Sequence, residues 1–157
     1  MARWERGADR VEELIARGEL QRVLGSEDTA VALLEMSSRH IEAAKKSVEV
    51  DPAGAYALAY DAARKASTAV LAHQGLRPTS RGGHIVVVEA VEAQFPGVPG
   101  LKSLDRLRRR RNQAEYPDPA GYDPIALDEA HEAIAVAGSA VDSSRRLIER
   151  PEIGLFR

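Results

Sequence analysis

The chain has 157 residues, a net charge of −2 and a pI near 6.1, which suit a single domain with a real core and give no global attraction for nucleic acid or anionic membranes. It contains no cysteine, which excludes disulfides and thiolate chemistry, and its four histidines show no metal-ligand spacing. Since the N-terminus lacks an apolar signal region and no apolar run reaches membrane-spanning length, we expect a cytoplasmic protein with no membrane contact, metal or cofactor.

The first third of the chain is predicted to be helical. Residues about 8 to 24 are typical of one or two short helices, interrupted at Gly18 and stopped at Gly25. Ser26 is a good N-cap for the next helix, which is predicted to run to about Val50. The inner stripe predicted for that helix consists of Val31, Leu34, Ile41 and Val48.

An alanine-rich helix follows. Asp51 is a capping residue and Pro52 suits the first helical position, so this pair predicts a helix start, and the helix extends to about Gln74. Gly75 supplies a C-cap, and residues 75–83 (GLRPTSRGG) have the composition of a loop. The small side chains of one face allow neighbouring helices to approach closely. That face consists of Ala55, Leu58, Ala59, Ala62, Ala66, Ala69 and Val70.

Three further helices complete the prediction. Residues 84–95 form a helix, because their length and the sequence EAVEA outweigh the strand-like IVVV. The helix from Leu101 ends at Tyr116, since Pro117 disfavours α conformation in the residue before it. Asp123-Pro124 repeats the cap-plus-proline start of a last helix. That helix runs to about Glu149 and is predicted to bury Ala126, Ala133, Ala137, Ala140, Val141 and Ile148.

These elements predict an all-α fold, an antiparallel bundle of four to five main helices. Aromatic residues make up only 4% of the chain, so we expect a core of alanine, leucine and valine. The predicted organisation is a short helical extension over residues 1–25, a bundle over 26–150 and a tail over 151–157.

The segment LKSLDRLRRRRNQAEY carries an arginine on the apolar side of its helix. At about 100° per residue, Arg111 falls among the apolar side chains. A guanidinium cannot lose its charge there and needs an acidic or hydrogen-bonding partner, and Glu115, four residues on, can supply one. The apolar side consists of Leu101, Leu104, Leu107 and Ala114.

Two interpretations of Arg111 stay open at this point, an ion pair that positions the helix and a phosphate contact. Arg106, Arg109 and Arg110 point away from the apolar side, and we expect a solvated face there. The alternative is a strip that binds along a nucleic-acid backbone with strong salt dependence.

Among the histidines, His73 is predicted to be a buried, hydrogen-bonded residue and His84 to start a helix.

The order of these features between Ala53 and Leu147 resembles the HEPN domain family, helical proteins of prokaryotic toxin, defence and nucleotide-associated systems. The shared features are an alanine-rich helix, a loop, a short helix opening with His84, a second loop, an arginine-led motif ending a helix, and a long last helix. Active members carry an arginine, four to six intervening residues and a histidine, and cleave RNA without metal. The resemblance implies a HEPN-like bundle and a homodimer whose two sites face each other.

The motif RNQAEY resembles a HEPN branch that ends Arg-x-x-x-(Asp/Glu)-Tyr. Arg111 matches the family's arginine, Asn112 a frequent polar neighbour, and Tyr116 stands where four intervening residues would place histidine. The resemblance implies Arg111, Glu115 and Tyr116 as candidate catalytic residues, and Arg108, Arg111 and Asn112 as candidate phosphate or nucleic-acid contacts.

RNA cleavage by attack of the ribose 2′-hydroxyl needs a general base and stabilisation of the phosphate. Arg111 suits the second role. Tyr116 is a poor base at its usual pKa of about 10, and Glu115 could act only if it is not held in an ion pair with Arg111.

The leading functional expectation is a HEPN-type RNA- or nucleotide-interacting protein of a toxin–antitoxin or defence system. If it is an enzyme, it is a metal-independent endoribonuclease. The alternative is a non-catalytic helical interaction or oligomerisation module that pairs with a nucleotidyltransferase-type antitoxin or another protein. The genomic neighbour discriminates, because an adjacent small nucleotidyltransferase gene favours a toxin–antitoxin pair.

Overall fold

Helices form most of the structure, a computed structural model that describes residues 4–156. The helices are α1 (Ala8–Ala16), α2 (Glu27–Ser47), α3 (Pro52–His73), α4 (Ile85–Gln94), α5 (Leu104–Glu115) and α6 (Leu127–Glu149). A one-turn 3-10 helix, Leu101–Ser103, leads directly into α5. The predicted all-α bundle is confirmed.

Helix α3 lies at the centre of the bundle, between α2 and α6. Six of its alanines have no solvent exposure, so the neighbouring helices pack closely against it. These are Ala55, Ala59, Ala62, Ala63, Ala66 and Ala69. Both predicted caps are present. Ser26 Oγ accepts from the backbone N–H of Thr29 at 3.0 Å, and Asp51 Oδ1 accepts from that of Gly54 at 2.9 Å.

A two-stranded sheet is the main departure from the predicted elements. Strand β1 (Leu20–Arg22) pairs antiparallel with β2 (Leu76–Pro78), in a register that sets Leu20 opposite Pro78. The prediction of helix through residue 24 and of a loop over 75–83 was therefore wrong at these positions. Strands of three residues are too short to show an alternating pattern, and their pairing depends on a partner more than fifty residues away.

Two other expectations also need correction. Val31 is half exposed, and Ala30 beside it takes the buried position on α2. Helix α6 begins at Leu127 rather than at Pro124, so Ala126 is exposed. The carbonyl groups of Asp123 and Pro124 instead accept hydrogen bonds from an arginine of α5, which holds this segment as a loop.

The segments on either side of the central helices pack onto the bundle. Helix α1 lies against α4, and Ile153 and Phe156 are buried. His73 Nε2 donates to the carbonyl of Ile153 at 2.8 Å, which confirms the predicted hydrogen bond, but the residue is partly exposed rather than buried. The domain boundaries at residues 25 and 150 stay predictions. Within residues 4–156, none of the helices combines the length and apolar character needed to cross a bilayer.

Candidate functional site

A stripe of polar side chains on α3 runs beneath α5. Tyr56, Tyr60 and Arg64 are spaced four residues apart, so they share one side of the helix. Tyr60 is fully buried, and the Cζ atom of Arg111 lies 5.5 Å from the centroid of its ring. At this distance the guanidinium is attracted to the ring electrons. Arg111 is therefore directed at the bundle, as its position among apolar residues indicated.

Arg111 has two polar neighbours on its own helix. Its Nε lies 3.1 Å from Glu115 Oε1, and its Nη1 donates to Asn112 Oδ1 at 3.1 Å. The predicted pairing with Glu115 is confirmed. However, the carboxylate lies off the N–H direction, and the buried Nε–H is left without a hydrogen-bond acceptor among the described residues. The side chain as a whole keeps 23% exposure.

His84 joins this region from the start of α4. Its Nδ1 lies 2.9 Å from the hydroxyl oxygen of Tyr60, and the two rings are 5.8 Å apart. Burial raises the pKa of Tyr60 to about 12, so the phenol stays protonated. Burial, followed by the positive charges of Arg64 and Arg111, lowers the pKa of His84, while Asp61 opposes this shift. The imidazole is therefore neutral at pH 7.

Arg64 repeats the situation of Arg111 on the neighbouring helix. Its Nη2 lies 3.6 Å from Asp61 Oδ1, a long ion pair, and its buried Nε–H also has no acceptor among the described residues. About a fifth of its side chain is exposed. Buried guanidinium groups normally have their donors satisfied, so these two N–H groups stand out because neither has an acceptor among the described residues.

Arg108 completes the group on α5. It donates twice to Asp105 Oδ1, at 3.1 Å from Nε and 2.8 Å from Nη2, and Asp105 also pairs with Arg109. Arg108 acts electrostatically on both His84 and Tyr60. We use the term arginine–histidine cluster for Tyr60, Arg64, His84, Arg108 and Arg111.

The remaining arginines of the run differ from one another. Arg109 is 72% exposed, as predicted, and Arg106 is half exposed beside Glu132. The prediction of a solvated Arg110 was wrong, because only 15% of its side chain is exposed and it forms a double hydrogen bond with Glu129. A helical wheel of α5 alone could not reveal this partner, since Glu129 belongs to α6.

Tyr116 lies apart from the cluster. Its side chain is 77% exposed and lines a surface cleft with Arg110, Gln113 and Asp123. The structure thus brings Arg111, Asn112 and Glu115 into contact and Arg108 into the same cluster, but not Tyr116. The catalytic roles predicted for these residues stay predictions.

Sequence reasoning missed Tyr60 and Arg64 and treated His84 only as a helix start. The four-residue spacing of Tyr56, Tyr60 and Arg64 was a usable signal, because it places three polar side chains on one stripe of an alanine-rich helix. That this stripe lies under Arg111, and that His84 meets it, depends on how the helices pack.

Comparison with known proteins agrees with this architecture. The family model of the HEPN domain matches residues 30–147, which is most of the chain, and the chain therefore belongs to the HEPN domain family. This family is associated with ribonuclease activity and with toxin–antitoxin or defence roles. No curated protein and no solved structure matches the chain significantly.

Proposed function

We propose that this HEPN protein binds RNA through its phosphodiester backbone, as part of a toxin–antitoxin or defence system, with Arg64 and Arg111 holding one phosphate. The single observation that carries the proposal is the pair of buried Nε–H groups, one on each arginine, that have no hydrogen-bond acceptor among the described residues. Phosphate oxygens suit the planar, two-pronged donor set of guanidinium. A nucleotide phosphate offers the same chemistry and is the smaller ligand of this class.

The contacts already present leave donors available. Arg111 donates from Nη1 to Asn112, whereas its Nε–H lies near Glu115 without a hydrogen bond, and its Nη2 has no polar contact in the described part of the chain. Glu115 is 42% exposed, so its carboxylate can rotate away when a phosphate arrives. The long Arg64–Asp61 pair is similarly weak, because surface ion pairs contribute little stability.

The proposal is tested by binding of fluorescein-labelled single-stranded RNA, measured by fluorescence anisotropy at two salt concentrations. Arg64→Gln and Arg111→Gln should each weaken binding about tenfold or more, the value expected for a lost charged hydrogen bond, and should reduce the salt dependence. Arg109→Gln is the matched control, since Arg109 lies on the same helix and points to solvent. A larger loss for Arg109→Gln would favour a strip of exposed arginines instead. Competition by a mononucleotide separates nucleotide from RNA recognition.

A second candidate is a non-catalytic module that pairs with a nucleotidyltransferase-type antitoxin. The observation that favours it is the position of Tyr116, which is exposed at the helix end while Arg111 already has Glu115 and Asn112 as neighbours. In this case the wild-type protein would lack RNA affinity but would form a stable complex with a small nucleotidyltransferase, and Tyr116→Ala would weaken that complex.

Homodimerisation is part of the leading proposal, because the family often dimerises. Light scattering coupled to gel filtration should give a mass near twice 17.0 kDa. A monomer at tens of micromolar would contradict this part.

A further inference from the structure

We infer that His84 is the proton acceptor of a metal-independent RNA cleavage at the arginine–histidine cluster, and that Tyr60 positions it. This inference rests on the proposed phosphate binding by Arg64 and Arg111. By its position in the motif, Tyr116 stands where active family members have their histidine. The inference gives that role to His84, at the start of a different helix.

One ring nitrogen of His84, Nδ1, is hydrogen-bonded to Tyr60, and the other, Nε2, is available to accept a proton. Nδ1 lies 2.9 Å from the hydroxyl oxygen of Tyr60, and the residue as a whole is only partly buried. In the tautomer with a proton on Nδ1, that nitrogen donates to Tyr60, and Nε2 presents its lone pair outward. Tyr60 is fully buried beneath Arg111, so the hydroxyl is a fixed point close to the proposed phosphate.

The charges around the histidine suit a base. Arg64 acts on it electrostatically from α3 and Arg108 and Arg111 from α5, and the carboxylate of Asp61 opposes them. Burial and the three arginines lower the pKa of His84, which keeps it unprotonated and ready to accept a proton at neutral pH. The same arginines attract a phosphodiester, so substrate binding and the neutral base come from one arrangement.

The cleavage step is balanced without a co-reactant. The ribose 2′-hydroxyl oxygen attacks phosphorus, its proton passes to Nε2 of His84, and the bond from phosphorus to the 5′ oxygen breaks. The 5′ oxygen takes a proton from water, and His84 returns its proton to solvent. The products are a 2′,3′-cyclic phosphate and a 5′-hydroxyl, with no net change in protons. Arg111 and Arg64 offset the charge that develops on the phosphate oxygens.

Other candidate bases are less suited in this structure. Tyr116 lies in a different cleft. His73 is held by its bond to the carbonyl of Ile153.

The experiment measures cleavage of a labelled RNA in EDTA together with binding of a 2′-deoxy analogue, which cannot react. His84→Gln should reduce cleavage about 100-fold or more, the usual contribution of a positioned base, and leave binding within about twofold. His131→Gln, an exposed histidine of α6, should leave both unchanged.

Tyr60→Phe tests the positioning role. It keeps the ring beneath Arg111 and removes only the hydroxyl, so binding should persist. Cleavage should fall, and the acid limb of its pH profile should move to lower pH, because the imidazolium loses an acceptor for its Nδ1–H. Tyr56→Phe is the matched control, since its buried hydroxyl, one turn earlier on α3, has no hydrogen-bond partner among the described residues. Tyr56→Phe should change neither the cleavage rate nor its pH profile.

The outcomes are distinguishable. If the wild-type protein does not bind the 2′-deoxy analogue, the proposed function itself is overturned. Intact binding without any cleavage, or cleavage that survives His84→Gln, overturns the role of His84 and leaves RNA binding standing. An unchanged pH profile in Tyr60→Phe overturns the positioning role alone.

Discussion

Arg110 and Glu129 tie α5 to α6 through two parallel hydrogen bonds, from Nε to Oε2 at 2.8 Å and from Nη2 to Oε1 at 3.0 Å. Arg110 also donates to the carbonyls of Asp123 and Pro124. One guanidinium thus anchors both α6 and the loop before it. Because α5 carries Arg108 and Arg111, this anchor determines where the arginine–histidine cluster lies against α3.

Removing the Arg110 side chain should destabilise the protein. Arg110→Ala breaks the double bond to Glu129 and leaves two loop carbonyls without this donor, and we expect a loss of about 1–3 kcal/mol in the free energy of unfolding. Arg109→Ala, on the same helix but largely exposed, should change it by less than about 0.5 kcal/mol. Urea unfolding followed by circular dichroism measures both. Equal losses would contradict a structural role for Arg110.

The same pair should contribute to acid sensitivity. The hydrogen bonds from Arg110 lower the pKa of Glu129 in the folded protein, so the unfolded chain binds this proton more readily. The stabilisation is present above the unfolded pKa, about 4.3, and is lost as pH falls through the lower folded value. Urea midpoints of wild type and Glu129→Gln should therefore differ at pH 7 and converge below pH 4. A difference between the two urea midpoints that stays the same at every pH would argue against this contribution of Glu129.

Gly100 and Gly97 offer a matched pair of substitutions in the turn before α5. Both have positive φ, +81° and +77°, but a Cβ at Gly100 would collide with the backbone of Ala140, whereas one at Gly97 meets nothing. Gly97→Ala should cost about 1–2 kcal/mol from backbone strain alone. Gly100→Ala should cost about 1–3 kcal/mol more, since α6 must shift. Similar unfolding free energies for the two variants would show that α6 does not contact this turn closely.

Tyr116 gives a test of the role implied by its place in the motif. Since its side chain is exposed and lines the cleft of Arg110 and Asp123, Tyr116→Phe should leave RNA binding and cleavage unchanged. Tyr116→His should not raise cleavage in EDTA, because the new imidazole would lie outside the cluster. A gain that disappears when Arg111→Ala is added would return the catalytic role to this position.

Helices α2 and α3 were predictable because each carries its own start signal and periodic pattern, whereas the start of α6 was predicted three residues too early. Ser26 and Asp51 cap their helices as expected, and the alanine face of α3 is buried. The strands at Leu20 and Leu76 were not predictable, because three-residue segments gain their conformation from each other.

The candidate site was predictable only within α5. The spacing of Arg111 and Glu115 indicated their ion pair, since both residues belong to one helix. The contacts of Arg110 with Glu129, and of Tyr60 with His84, join residues 19 and 24 positions apart on different helices. Such pairings follow from how the helices dock, and the local sequence pattern does not contain that information.

The most direct test of the central claim is a double-mutant cycle on RNA binding with Arg64→Gln, Arg111→Gln and the combined variant. If both arginines hold the same phosphate, either single change removes most of that contact. The combined loss should then fall short of the sum of the single losses by more than about 0.5 kcal/mol. Losses that add within about 0.3 kcal/mol, or binding that neither change weakens, would contradict a shared phosphate site.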